Sequence, residues 1–118
     1  MGSSTPELNT LYSDNIVKAF LEVQTISGVP GIASSFNVAS ISDDAPGQFT
    51  VTWQKSFATA RYSLAGLASA TTDEGYVTRR CTTAETCQTA TSVQLNVVED
   101  TGSLTDQALW SIIAVGVQ

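Results

Sequence analysis

Polar and apolar residues alternate with period two along much of this chain. The clearest case is Gln48–Trp53, where Phe49, Val51 and Trp53 share one face and Gln48, Thr50 and Thr52 the other. Successive side chains leave opposite faces of a pleated strand, so this period predicts a strand with one buried face. Residues 34–41 mix apolar and small polar positions as a half-buried strand does. Residues 43–47, Asp-Asp-Ala-Pro-Gly, stop a strand and turn it. Residues 34–53 therefore read as a hairpin with a five-residue loop.

Other segments follow the same rule. Ser92–Glu99 sets Val93, Leu95 and Val97 on one face, and residues 60–69 set Tyr62, Leu64 and Gly66 on one face. Residues 16–23 form a largely apolar strand, and residues 75–81 a short one. Turns fall at residues 27–31 and 100–106, and neither an internal repeat nor a heptad is present. About seven short strands separated by turn residues predict an all-β fold: an antiparallel β-sandwich, jelly-roll-like or small and barrel-like.

The last segment, residues 108–117, breaks the pattern. Trp110, Ile112 and Ala114 stand on one face, and Leu109, Ile113, Val115 and Val117 supply apolar groups to the other. A strand of an antiparallel sheet ordinarily keeps one face wet. Either loops of the same chain cover the second face, or it meets another subunit. A chain of 118 residues has little to spare for covering. The expectation is a subunit interface through Leu109, Ile113, Val115 and Val117.

Composition sharpens this picture. The length fits one domain. Apolar residues make up 42% and charged residues only 14%, against roughly 25% charged in an average soluble domain. Ser and Thr fill the polar positions, which suits β-structure with many protein contacts. The net charge of −6 and five basic residues argue against a phosphate-tracking surface, so neither nucleic acid nor membrane is an expected partner. Arg79-Arg80 is the one basic cluster and reads as an exposed pair beside a loop.

Residues 1–15 are polar, with Leu8, Leu11 and Tyr12 as their apolar anchors. They read as a docking arm ahead of a β-domain at residues 16–118. An extended arm of that length reaches about 50 Å at most. The first residues lack a basic region followed by an apolar stretch, and no apolar run is long enough for a membrane helix. Synthesis in the cytoplasm is the expectation. Cys81 and Cys87 are open to two readings, a disulfide or two free thiols.

Candidate chemistry is sparse. The chain has no histidine, which removes the usual general base and the usual metal ligand. No serine sits in a Gly-x-Ser-x-Gly elbow. Carboxylates occur as neighbours, Asp43-Asp44, Asp73-Glu74 and Glu99-Asp100, and neighbours on a strand point apart. Calcium at Asp43-Asp44 would lack the Asp-x-Asp-x-Asp spacing. Trp53 and Trp110 lie in phase with aliphatic neighbours and read as packing residues. Tyr76 is the better candidate for a surface contact. The reading is therefore a non-enzyme with no catalytic residue, no metal and no cofactor.

The wording of certain segments resembles a bacteriophage tail-fibre and virion surface β-domain family. Val17-Lys18-Ala19-Phe20 is similar to that domain's opening, and Ser34-Ser35-Phe36-Asn37-Val38-Ala39-Ser40-Ile41 to its "ASFNVSSI" strand. Residues 43–53 follow its "D-x-x-x-G-x-[YF]-T-V-x-[FW]" pattern, and residues 60–66 its "A-x-Y-x-x-x-G" strand. Residues 100–106 and 113–116 are similar to its closing turn and strand, while residues 71–91 carry no such wording. The resemblance implies a homotrimeric virion structural protein at the particle surface, with itself and other virion proteins (capsid, collar or fibre) as partners. With only about fifteen residues ahead of the domain, a standalone member of decoration, cement or fibre type is the expectation. The alternatives are a module binding host surface glycan and, behind it, a polysaccharide-degrading enzyme.

Overall fold

In the computed structural model, the described residues are 16–69, 74–81 and 87–118. They form eight antiparallel strands in a single sheet: β1 Val17–Ile26, β2 Val29–Phe36, β3 Val38–Ala45, β4 Gln48–Trp53, β5 Ser63–Ser69, β6 Glu74–Arg79, β7 Ser92–Glu99 and β8 Leu109–Val115. Their order is β2-β1-β8-β5-β6-β7-β4-β3. The all-β antiparallel expectation holds, in its small barrel-like form. Among the described residues no helix is long and apolar enough to cross a membrane.

One residue dictates the curvature. The outermost strands of the order are β2 and β3, yet β2 ends at Phe36 and β3 begins at Val38. Consecutive Cα atoms are 3.8 Å apart, so two steps span less than about 8 Å. The two edges must therefore meet at this end, and the sheet curls into a nearly closed barrel. Asn37 makes the junction at φ 59°, a left-handed conformation that Asn tolerates better than most residues. Its Oδ1 accepts from the Lys55 amide at 2.6 Å and its Nδ2 donates to the Lys55 carbonyl at 3.2 Å. The corner is thus clamped to the end of β4.

This corner corrects the hairpin expected over residues 34–53. Ser34–Phe36 belongs to β2 and pairs with β1, while Val38–Ala45 pairs with β4. The turn is also shorter than five residues, because Asp43, Asp44 and Ala45 stay in β3. Asp44 is held there by the Ser42 and Thr50 hydroxyls, both at 2.6 Å, and by the Arg80 guanidinium at 2.5 Å. Pro46 and Gly47 alone make the turn, Gly47 at φ 68°, the residue order of a type II turn. Ser27 and Gly28, at φ 53° and 79°, make a two-residue type I′ turn between β1 and β2. Strand β1 therefore runs on to Ile26 instead of stopping at Val23, and β2 is the eighth strand beyond the seven expected.

The inward faces build one core. Ala19, Leu21 and Val23 of β1, Phe49, Val51 and Trp53 of β4, Val93, Leu95 and Val97 of β7, and Trp110, Ile112 and Ala114 of β8 are all buried. The β4, β7 and β8 sets have the period-two spacing read from the sequence; the β1 set has it too, in a strand expected only to be largely apolar. Phe49 packs on Trp110 with ring centroids 5.0 Å apart. Trp53 meets Phe57 and Tyr62 edge-on, at 5.7 and 5.8 Å. Both tryptophans are therefore core residues.

Gly47 illustrates how tightly the barrel end is closed. A Cβ there would lie 2.5 Å from the Thr105 amide nitrogen and 2.5 Å from the Val97 carbonyl oxygen. Gly28 shares the positive φ but has open space around it. Gly28→Ala is expected to cost about 1 kcal/mol, the left-handed penalty alone. Gly47→Ala is expected to cost about 3 kcal/mol, because backbone must also move. Urea unfolding of both variants measures the difference; equal losses would contradict the steric account.

Candidate functional site

Two features of the described surface stand out: an apolar outer face and a cleft between two strands.

The outer face spans β2, β1, β8 and β5. In β1 the positions out of phase with the core are Lys18, Phe20, Glu22 and Gln24, so Phe20 is the apolar residue on a polar face. Register carries Phe36, Phe20, Ile113 and Ala65 into one row across four strands. The Phe20 and Phe36 rings stack with centroids 6.1 Å apart. A neighbouring row holds Val17 and Val115. Phe36 is 55% exposed, Ile113 43% and Phe20 38%. A contiguous patch of this kind on a small domain marks a surface that meets another apolar surface.

The expected interface residues fall on this face in part as a cluster. Ile113 and Val115 lie in the two apolar rows. Leu109 is exposed on the same face, separated from Ile113 by the Glu22–Ser111 pair. Leu67, 77% exposed and opposite Ser111, bridges that gap on the β5 side. Val117 is exposed beyond the end of β8, where its carbonyl accepts from the Ala58 amide. Tyr76, on β6, is 47% exposed. Leu8, Leu11 and Tyr12 lie outside the described residues. Sequence reasoning missed Phe20 and Phe36 as surface groups. The signal was present for Phe20 in its phase against Ala19, Leu21 and Val23.

The cleft arises where pairing fails. β5 and β6 pair only through Ala68–Gly75 and Ser69–Glu74, whereas β5 pairs with β8 along all seven of its positions. Beyond Gly66, which still approaches Val77, the strands part. Arg79 borders two open hollows here, a smaller one of about 190 Å³ and a larger one of about 660 Å³. The walls of the larger one include Thr59, Tyr62, Ser63, Arg79, Gln88 and the Cys81–Cys87 disulfide. That bond, with Cα atoms 4.9 Å apart, is the arrangement of the first of the two readings of the cysteines. It ties the end of β6 to the segment that takes over pairing with β7, where Gln88 bridges Val93 and the Cys87 carbonyl accepts from Gln94.

Side chains replace the missing ladder. Gln88 is buried, and its Nε2 donates to the Ala60 and Tyr62 carbonyls at 2.9 and 2.8 Å. The Tyr62 hydroxyl accepts from Trp53 Nε1 at 2.9 Å and donates to the Thr89 or Ser92 carbonyl, at 2.8 and 3.1 Å. Burial pushes the Tyr62 phenol above its ordinary value; the Trp53 hydrogen bond and the Arg79 charge oppose that shift. Arg79 and Arg80 do not act as a pair. Arg80 turns outward to Asp44, while Arg79, in phase with Gly75 and Val77, lines the cleft.

Among the described carboxylates, Asp43, Asp44 and Asp106 lie close enough to influence one another. No group of three or more His, Cys, Asp or Glu could hold a metal ion among the described residues. Asp44 is engaged as described, and those hydrogen bonds, Ser42 and Thr50 first, hold its carboxyl below the ordinary range against an opposing desolvation. Asp43 is raised, by desolvation first and then by the charges of Asp106 and Asp44. No protein-family model, curated protein or solved structure matches the chain.

Two outcomes follow. Tyr62→Phe leaves the buried Trp53 Nε1 without its acceptor and should lower stability by about 2 kcal/mol, measured by urea unfolding with Tyr76→Phe as an exposed control. Asp44 is the more acidic group in the folded state. Its contribution is complete above 3.8, its ordinary value, and is lost as pH falls through the lower folded-state value. Asp44→Asn should therefore flatten the acid limb of a stability–pH curve. An unchanged slope would show that the hydrogen-bonded cluster contributes nothing there.

Proposed function

We propose that this chain is a non-catalytic structural module that self-associates through the outer face of β2, β1, β8 and β5, and that it serves as a bacteriophage virion surface protein. The observation that carries the self-association is the row Phe36, Phe20, Ile113 and Ala65. Strands β1, β8 and β5, whose inward faces pack in or against the core, carry a second apolar surface that Phe36 of β2 extends, and such a surface gains free energy when removed from water. A stable association of this kind ordinarily buries 1,200–2,000 Å² in total. The virion setting and the trimeric number rest on the sequence resemblance through residues 16–66 and 100–116. Docking through residues 1–15, with assembly in the host cytoplasm, completes the reading.

The low charge density supports this reading. Charged residues make up 14% of the chain, and charge depletion is the compositional mark of interface cores. A second reading, a module that binds host surface glycan, is favoured by the cleft between β5 and β6.

Light scattering on size-fractionated protein should return a trimer mass. Phe20→Asp combined with Ile113→Asp should return a monomer with the far-ultraviolet spectrum intact. A native chain that stays monomeric at high concentration would overturn self-association. Deleting residues 1–15 should leave the oligomer and abolish attachment to particles; attachment that survives would remove the docking role from the arm.

A further inference from the structure

We infer that the cleft between β5 and β6 is a binding site for a small anionic ligand, a sugar acid or sugar phosphate, whose charged group is held by Arg79. The cleft adjoins the self-association face along β5, where Ser63 and Ala65 border both.

The position of Arg79 carries the inference. Strand residues two apart share a face. Gly75, Val77 and Arg79 therefore leave β6 on the side that faces the barrel interior. At Val77 that side is core: the residue packs against the buried cluster. At Arg79 the neighbouring strand has parted and the residue borders both hollows. The Arg79 side chain makes no hydrogen bond and no ion pair with another described residue, whereas the terminal nitrogens of the adjacent Arg80 are engaged by Asp44, Thr50 and Gln48. A guanidinium with a planar fork of donors and no carboxylate partner suits a carboxylate or phosphate. In a chain with a net charge of −6, such a cation at a cleft is also a local exception to the overall field.

A second observation comes from the opposite wall. Gln88 is 7% exposed, and both of its Nε2 bonds go to backbone carbonyls. Its Oε1 is buried with no hydrogen-bond partner. Buried acceptors are rarely left unpaired; this one lies behind the wall, beyond reach of a ligand in the cleft, and the residue helps to fix the wall's shape only through its Nε2 bonds. The Ser63 and Thr59 positions add hydroxyls to the larger hollow. Tyr62 offers no ring for stacking, being 4% exposed with its hydroxyl occupied. Recognition is therefore polar and charge-led. The size is that of a small-molecule site, which ordinarily encloses 300–1,000 Å³.

The test is a titration of the full-length isotope-labelled protein with glucuronate, inorganic phosphate and glucose, followed by amide chemical shifts. Saturable shifts at Ser63, Arg79 and Gln88 are expected with glucuronate or phosphate and none with glucose. Which anion binds more tightly tells a sugar acid from a sugar phosphate. Arg79→Gln should weaken the binding at least tenfold, and Arg79→Lys, which keeps the charge and loses the fork, should fall between. Raised salt should weaken the native complex without any variant being needed. No saturable shift with either anion at about 10 mM, where a millimolar site would be mostly filled, would overturn the inference. Equal response to glucose, or undiminished anion binding by a folded Arg79→Gln, would do the same. The light-scattering mass, measured on the same samples, reports independently on self-association.

Discussion

Closure of the barrel depends on Asn37. The hydrogen-bonded order puts β2 and β3 at opposite margins of the sheet, and the covalent chain puts them one residue apart. Only a curled sheet satisfies both. The seam between the margins is thus closed by a peptide link and a side-chain clamp on Lys55, without a ladder of hydrogen bonds. The exposed edges carry ordinary protection against pairing with strangers: Pro30 and Gly31 on β2, Asp43 and Asp44 on β3.

Once the sheet is curled, its two faces acquire different tasks. The interior takes the alternating large residues of β1, β4, β7 and β8 and leaves no room for substitutions at points such as Gly47. The exterior is divided. On the β3, β4, β6 side, Asp44, Ser42, Thr50 and Arg80 form a hydrogen-bonded polar cluster. On the β2, β1, β8, β5 side, Phe20, Phe36 and Ile113 replace it with an apolar row. The polar side bonds largely to itself; the apolar side stays exposed. The parting of β5 from β6 interrupts the wall, and the disulfide with Gln88 holds that interruption open at a fixed shape.

Period two is a local property, so Phe49, Val51 and Trp53, or Val93, Leu95 and Val97, announce their burial from spacing alone. The two apolar sets of the last strand were equally legible, and Trp110, Ile112 and Ala114 occupy the core while Ile113 and Val115 face out. What stayed hidden depends on partners distant in the chain. The break at Asn37 follows from the left-handed backbone that one Lys55 clamp stabilises, and nothing within residues 34–41 announces it. Asp44 reads as a turn residue until Arg80, 36 positions away, explains why it remains in a strand. The role of Arg79 is invisible because adjacency in sequence joins it to Arg80, while the pleat sends the two to opposite sides. The cleft itself is a failure of pairing, and no residue type encodes a bond that is not made.

The pairing of Val17 with Val115 gives the domain a property of its own. Entry and exit of the folded unit sit side by side at one pole, with the type I′ hairpin of β1 and β2 at the other. Such a unit can hang as a bud from a longer polypeptide, spliced into a loop without prying its host apart. Anything tethered before or after it emerges in the same direction, leaving the far pole facing outward.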